Sequence, residues 1–254
     1  LLSSHGTFVY MGTTAAGVSP GDLVPVTVTV TEFTPTNAKR SYTELKDATS
    51  IFVRGSGHSV AATSLNSLDN LDRVEGMLVS FTNALTVNQN AYIADRGELT
   101  LSVGRRETPT NRFRPGSAEA KALAAANDAN VLTLDDGIFV APTTIPYITD
   151  GTLRTGDSVT GLTGVIDFGA VGGGTPGFKL QPTQAPVFTP SNARTPAPVL
   201  MAGNVKVASA NVLNFFTTFT NGGNVLGQTG QGCTLGATTK ASNCRGADNL
   251  TEFT

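Results

Sequence analysis

The chain lacks tryptophan and carries only two cysteines and two histidines among 254 residues. His58 lies in the Gly/Ser-rich run Arg54-Gly55-Ser56-Gly57-His58, and nothing near it offers metal-ligand spacing. Neither His58 nor His5 supports a catalytic role. Charge is scarce as well: 14% of residues are charged, and the net charge is −2. A protein that grips nucleic acid chiefly by neutralising phosphates should be basic, so this chain as a whole is a poor nonspecific DNA binder. No run of 18 apolar residues occurs, which excludes a transmembrane helix. Leu1-Leu2-Ser3-Ser4 has neither a basic flank nor an apolar stretch, so no signal peptide is expected in it, and export encoded upstream stays open.

Glycine (28), proline (13), threonine and valine are plentiful, a composition of β-rich secreted proteins that is poor in helix formers. The length allows one or two domains with sizeable cores. An internal repeat organises much of it. Gly21-Asp22-Leu23-Val24, Val30, Glu32-Phe33 and Leu45 recur as Gly156-Asp157-Ser158-Val159, Val165, Asp167-Phe168 and Leu180, all displaced by 135 residues. Gly6-Thr7-Phe8-Val9 and Gly137-Ile138-Phe139-Val140 stand ahead of the two copies as strands. Each copy is expected to run strand, Gly-Asp turn, long strand, turn, strand. A further strand over residues 73–81 precedes the second copy only, so the chain is expected to begin inside its first module. The unit Arg73-Val74-Glu75-Gly76-Met77-Leu78-Val79, then G-I-F-V and G-D-x-V, resembles an OB-like barrel. Composition alone supports a small antiparallel barrel or sandwich. Phe8, Phe33, Phe139 and Phe168 could form a stacking platform for single-stranded nucleic acid, but core positions explain them more simply.

Between the copies, residues 46–68 read as a last strand followed by a linker. Strands around residues 84–87 and 98–102 lead to the loop Gly104-Arg105-Arg106-Glu107-Thr108-Pro109-Thr110-Asn111-Arg112-Phe113-Arg114-Pro115-Gly116. Arg105, Arg106, Arg112 and Arg114 are the best local candidates for touching a phosphate backbone. The plain alternative is a solvated loop whose charges pair with Glu107 and Glu119. Ser117 caps an Ala-rich helix over residues 118–127. Asp135-Asp136-Gly137 reads as a turn without calcium-loop spacing. Residues 169–177 form a Gly-rich hairpin turn, and residues 181–199, with five prolines, form an extended spacer.

Near the end stands Lys206-Val207-Ala208-Ser209-Ala210-Asn211-Val212-Leu213-Asn214-Phe215-Phe216, a mostly apolar run that reads as a buried strand interrupted by an amide. A buried Asn costs about 1–3 kcal/mol unless its polar atoms are paired, so the plain reading of Asn211 is a satisfied core residue at a strand end. Together with Cys233, Cys244 and Arg245-Gly246-Ala247-Asp248-Asn249-Leu250-Thr251-Glu252-Phe253, this run resembles the opening of a DNase I-like domain of the endonuclease/exonuclease/phosphatase superfamily. The likeness is closest to large secreted bacterial nucleases in which OB-like modules come first. It implies that Asn211 faces a catalytic metal, Mg²⁺ or Ca²⁺, and the scissile phosphate. That family more usually has Phe where Ala210 stands. Glu252 is assigned to the first turn of a helix. The other metal ligands and the catalytic His–Asp pair lie outside the chain. Cys233 and Cys244, with ten residues between them, are expected to form a disulfide worth about 2–3 kcal/mol, free thiols being the alternative.

The expected class is mainly β: tandem OB-like modules, then the first strand of an α/β two-layer sandwich. The expected divisions are the rear of a first module (1–50), a linker (51–70), a second module with a helical insertion (71–182), a Pro-rich linker (183–202) and an incomplete nuclease domain (203–254). The expected protein is a monomeric, secreted, metal-dependent nuclease acting on DNA or RNA, of which this chain alone is inactive. A non-catalytic β-module protein binding a surface, polysaccharide or nucleic acid is the competing class, and a related phosphatase is a third.

Overall fold

Threonine and valine alternate through T-V-T-V-T-E-F, and β-branched residues at a period of two favour a pleated strand. In the computed structural model this run is β2 (Thr27–Phe33). The structure describes residues 6–12, 17–138, 140–148, 152–172, 174–197, 199, 202–205, 207–210, 217–229 and 247–254. The chain divides into two units, Leu1–Thr195 and Pro196–Thr254.

The described residues of the first unit are mainly β and form two sheets. The small one has the order β1 (Phe8–Val9), β3 (Tyr42–Thr49), β2, with β1 parallel and β2 antiparallel to β3. The large one contains β4 (Thr63–Leu65), β5 (Leu78–Phe81), β6 (Leu85–Gln89), β7 (Leu99–Val103), β8 (Leu132–Leu134), β9 (Ser158–Val159), β10 (Thr163–Gly169), β11 (Gly177–Pro182) and β12 (Phe188–Thr189). Its order is β12-β9-β6-β7-β8-β11-β10-β5-β4. Both orders are linear with free ends, so the described residues contain no closed barrel. Val79, Leu85, Leu101, Leu132, Leu134, Ile166 and Leu180 are fully buried and form the centre of the core.

The repeat is visible as structure. In both copies a Gly-Asp turn precedes the long strand. Asp22 Oδ2 accepts from Ser19 N and Asp157 Oδ2 from Arg154 N, each at 2.7 Å. Gly21 and Gly156 have φ of 89° and 98°, a region that glycine enters without steric penalty. The three-strand arrangement is shared too, because β8 is parallel and β10 antiparallel to β11, as β1 and β2 are to β3.

Several expectations need correction. The first strand of the second copy is β8, not G-I-F-V. Asp135 and Asp136 accept hydrogen bonds from Gly137 N and Ile138 N, 3.1 and 2.9 Å, and turn the chain before those residues can pair; Phe139 is outside the described residues. The run at 73–81 is interrupted by Gly76, with φ of 73° and the Gly6 backbone against it. Only its second half forms β5, after a 3-10 turn at Leu71–Val74. Phe168 is buried, but Phe8 and Phe33 are 43% and 45% exposed, because the small sheet has less protein against it.

A short helix and a longer one lie among the described residues of the first unit. α1 (Ile93–Arg96) precedes β7, and α2 (Ala118–Ala129) follows the arginine loop. Ser117 Oγ accepts from Ala120 N and caps α2. The beginning of the Pro-rich stretch is stitched to the large sheet by β12 and by Asn192, whose Nδ2 donates to Thr155 O at 2.7 Å. In the second unit, α3 (Leu250–Phe253) is capped by Asn249, whose Oδ1 accepts from Thr251 N and Glu252 N. Glu252 reaches back to Asp248 N at 2.7 Å, as a first-turn acid should. Among the described residues no helix is long and apolar enough to cross a membrane.

Candidate functional site

The loop after β7 is held by asparagines. Asn88 Oδ1 accepts from Arg106 N at 2.8 Å, Asn127 Nδ2 donates to Glu107 O at 2.8 Å, and Asn130 bonds both the N–H and the carbonyl of Val103 at 2.9 Å. Each amide satisfies backbone groups that a loop leaves unpaired. Fixed in this way, the loop presents Arg105, Arg112 and Arg114 to solvent, whereas Arg106 is half-buried. Arg106 Nε is shielded from solvent and has no hydrogen-bond partner among the described residues. Arg112 pairs with Glu107 at 3.8 Å, the outer limit for an ion pair, and lies over the Phe113 ring at 5.8 Å. An exposed pair at that distance is worth well under about 1 kcal/mol, so Arg112 remains available to an anionic partner.

A cleft of about 820 Å³ opens between residues of the two sheets. On one wall, Arg40 Nη2 donates to Glu75 Oε2 at 2.6 Å while its guanidinium lies over Phe168 and Phe178, 4.6 and 5.0 Å from the ring centroids. This stacked, bonded arginine uses both the charge and the flat face of its side chain. Its Nη1 is shielded from solvent and lacks a hydrogen-bond partner among the described residues. Elsewhere in the lining, Lys179 Nζ sits 2.8 Å from Asp135 and 3.7 Å from Asp167, and Gln181 Nε2 donates to Asp135 at 3.0 Å. Asp167 and Lys179 face each other directly across β10 and β11.

Burial disfavours ionisation of Glu75 and Glu98 and pushes both carboxyls above their ordinary range. Arg40 opposes the shift at Glu75, and the Gly172 N–H, which Glu98 accepts, opposes it there. The Tyr42 phenol is pushed up to about 12, first by burial and then by the charges of Glu44, Asp167 and Glu75. Among the described residues the lining contains six carboxylates, Glu32, Asp72, Glu75, Glu98, Asp135 and Asp167, against three cations, Arg40, Arg96 and Lys179. That excess of negative charge repels a phosphate backbone.

Sequence patterns pointed to the arginine loop but not to the cleft, whose charged residues lie from Glu32 to Lys179 in strands, turns and a short helix and meet only in the folded chain. An acid, Asp167, opposite a lysine, Lys179, on the next strand was the one available signal. His58 lies in an exposed loop, its N–H donating to Gly21 O at 2.9 Å. Asn211, Cys233 and Cys244 lie outside the described residues. Among the described residues no group of three or more His, Cys, Asp or Glu side chains is placed to hold a metal ion. No protein-family model matches the chain, and neither a curated protein nor a solved structure matches it.

Proposed function

We propose that the chain is the accessory region, together with the start of the catalytic domain, of a monomeric, secreted, metal-dependent nuclease that hydrolyses the phosphodiester bonds of extracellular DNA or RNA. In this reading the large sheet is an OB-like module, and the loop bearing Arg105, Arg106, Arg112 and Arg114 tracks the phosphate backbone. Asn211 faces the Mg²⁺ or Ca²⁺ and the scissile phosphate, the remaining ligands and the His–Asp pair being carried outside this chain. The observation that supports it is the anchoring of the arginine loop by Asn88, Asn127 and Asn130. A loop already fixed gives up little conformational entropy when it binds, and three exposed arginines offer a path for an anionic strand.

Binding of a short single strand, followed by fluorescence anisotropy at increasing salt, tests the loop. Replacing Arg105, Arg112 and Arg114 together by Ala should weaken binding and lower the salt slope by about 2. An unchanged slope removes the loop from the interface. For catalysis, a chain extended through the complete nuclease domain should cut plasmid DNA with Mg²⁺ or Ca²⁺ and lose activity with Asn211→Ala. An extended chain inert on both DNA and RNA overturns the nuclease reading.

The acidic cleft favours a second reading, a non-catalytic β-module protein. Planar carboxylates, Gln181, Arg40 and the ring of Tyr42 suit a hydroxyl-rich ligand such as a polysaccharide better than an anion. Retention on an immobilised neutral polysaccharide, lost with Asp135→Asn but kept by the triple arginine variant, would favour this reading.

A further inference from the structure

We infer that the outer edge of β2 is a strand-accepting edge, which takes an extended segment of another polypeptide with apolar residues at alternate positions, added antiparallel to β2. Backbone direction supplies the first argument. Leu45 pairs with Val9 of β1 and its carbonyl accepts from Tyr10 N at 2.8 Å, so the peptide groups of Leu45 are turned toward β1. Val30, directly opposite Leu45, is therefore in a non-hydrogen-bonded pair. Its own N–H and C=O, and those of Glu32 two residues on, point away from β3. No strand lies on that side among the described residues.

The second copy shows what occupies such an edge. There Leu180 accepts from Asp135 N at 3.1 Å and stands opposite Ile166, as Leu45 stands opposite Val30. The outward groups of Ile166 are both taken by the segment entering β5: Ile166 N donates to Met77 O at 3.2 Å, and Gly76 N donates to Ile166 O at 2.8 Å. β5 then continues antiparallel along β10. With that neighbour in place Ile166 is fully buried, whereas Val30 is 68% exposed. β2 also lacks the usual guards of a free edge, having no proline or lysine and a single charge, Glu32. The occupant that fits is thus a strand of β5 chemistry, whose backbone meets Val30 and Glu32 and whose apolar side chains continue the row formed by Val9, Leu45 and Val30.

A synthetic peptide with the sequence of residues 74–82 is the probe, with a scrambled peptide as control, and amide hydrogen exchange of the 254-residue chain is the readout. The peptide should slow exchange at Val30 and Glu32 by about tenfold or more while leaving Thr31, already paired to β3, unchanged. Val30→Pro, which removes one outward N–H, should abolish the effect while protection at Ile166 and Leu180 stays as in the unsubstituted chain. Absence of binding, or equal slowing at all three residues, overturns the proposal. So does strong protection of Val30 in the chain alone: if it depends on concentration the occupant is a second copy, and if it does not the edge is already filled.

Discussion

Val9, Leu45 and Val30 lie in register across three strands, and so do Leu134, Leu180 and Ile166, with one parallel and one antiparallel neighbour in each case. The second row is completely buried, while the first is half-buried at best and ends in an exposed valine. Local pairing is therefore shared, and burial is not. What differs is the material around each row: β5 beyond β10 and the packed residues of the large core on one side, nothing beyond β2 among the described residues on the other. Apolar burial supplies most folding free energy, so the second copy should carry the stability of the unit.

The two copies differ in register as well. At an offset of 135, Val30 corresponds to Val165 and Leu45 to Leu180, yet Val30 pairs with Leu45 whereas Val165 pairs with Gln181. The ladder shifts between Thr27 and Thr29, where β3 steps from Thr49 to Lys46 and so holds one extra residue. Asp47 lies in that step with φ of 55°. A left-handed residue of this kind builds a bulge, and a slip of one residue turns each side chain to the opposite face. Asp tolerates the conformation better than a β-branched residue does.

The largest effect that can break the comparison is a cavity. Leu180→Ala should lower unfolding free energy by about 3–4 kcal/mol, and Leu45→Ala by about 1 kcal/mol, in urea titrations of the full chain. Equal losses would mean that the two rows are equally packed. Next is the acid opposite each β2-type strand's neighbour: Asp167 meets Lys179, but Glu32 meets Thr43, whose hydroxyl donates to it at 2.6 Å. Lys179→Met leaves Asp135 and Asp167 without their cation and should destabilise by about 3 kcal/mol. Thr43→Val, at an exposed pair, should change stability by about 0.5 kcal/mol or less. A Lys179 variant as stable as the parent would show that solvent already screens the carboxylates of the cleft.

Asp47 tests the slip. Asp47→Gly should be neutral or stabilising by up to about 1 kcal/mol, and Asp47→Val destabilising by about 1–2 kcal/mol, because valine resists a positive φ. A stabilising valine would indicate that β2 had moved to the register of β10, which cross-strand contacts in an NMR spectrum would report.

The smallest effect is one of sign with pH. Glu98 has a folded pKa above its unfolded value, because of burial, so its contribution is present below the ordinary carboxylate range and is lost as pH rises through the raised value. Glu32 is held low, chiefly by the Thr43 hydroxyl, so its contribution is present above that range and is lost as pH falls. Glu98→Gln should therefore remove a decline in stability with rising pH, and Glu32→Gln a decline with falling pH. Urea midpoints measured across the acidic range decide this, and slope changes of the same sign in both variants would contradict the assignment.

Where sequence and structure agree, the cause is local. Ser117 ahead of an alanine-rich run specifies a capped helix, Asp-Asp-Gly specifies a turn through side-chain acceptors and a positive φ, and the two Gly-Asp turns carry the same hydrogen bonds in both copies. The arginine loop was legible as a cluster, but not its anchoring, since Asn88, Asn127 and Asn130 approach it from β6 and α2. The cleft was not legible, because its charges come from strands, turns and a short helix far apart in the chain that meet only in the fold. Thus the sequence by itself determined the β-rich class, the repeat and the local turns, through periodicity and backbone preference. Only the tertiary structure decided which copy is buried, where the β2–β3 ladder slips and which carboxylates share Lys179, because burial and charge proximity depend on what packs alongside and not on neighbours in the chain.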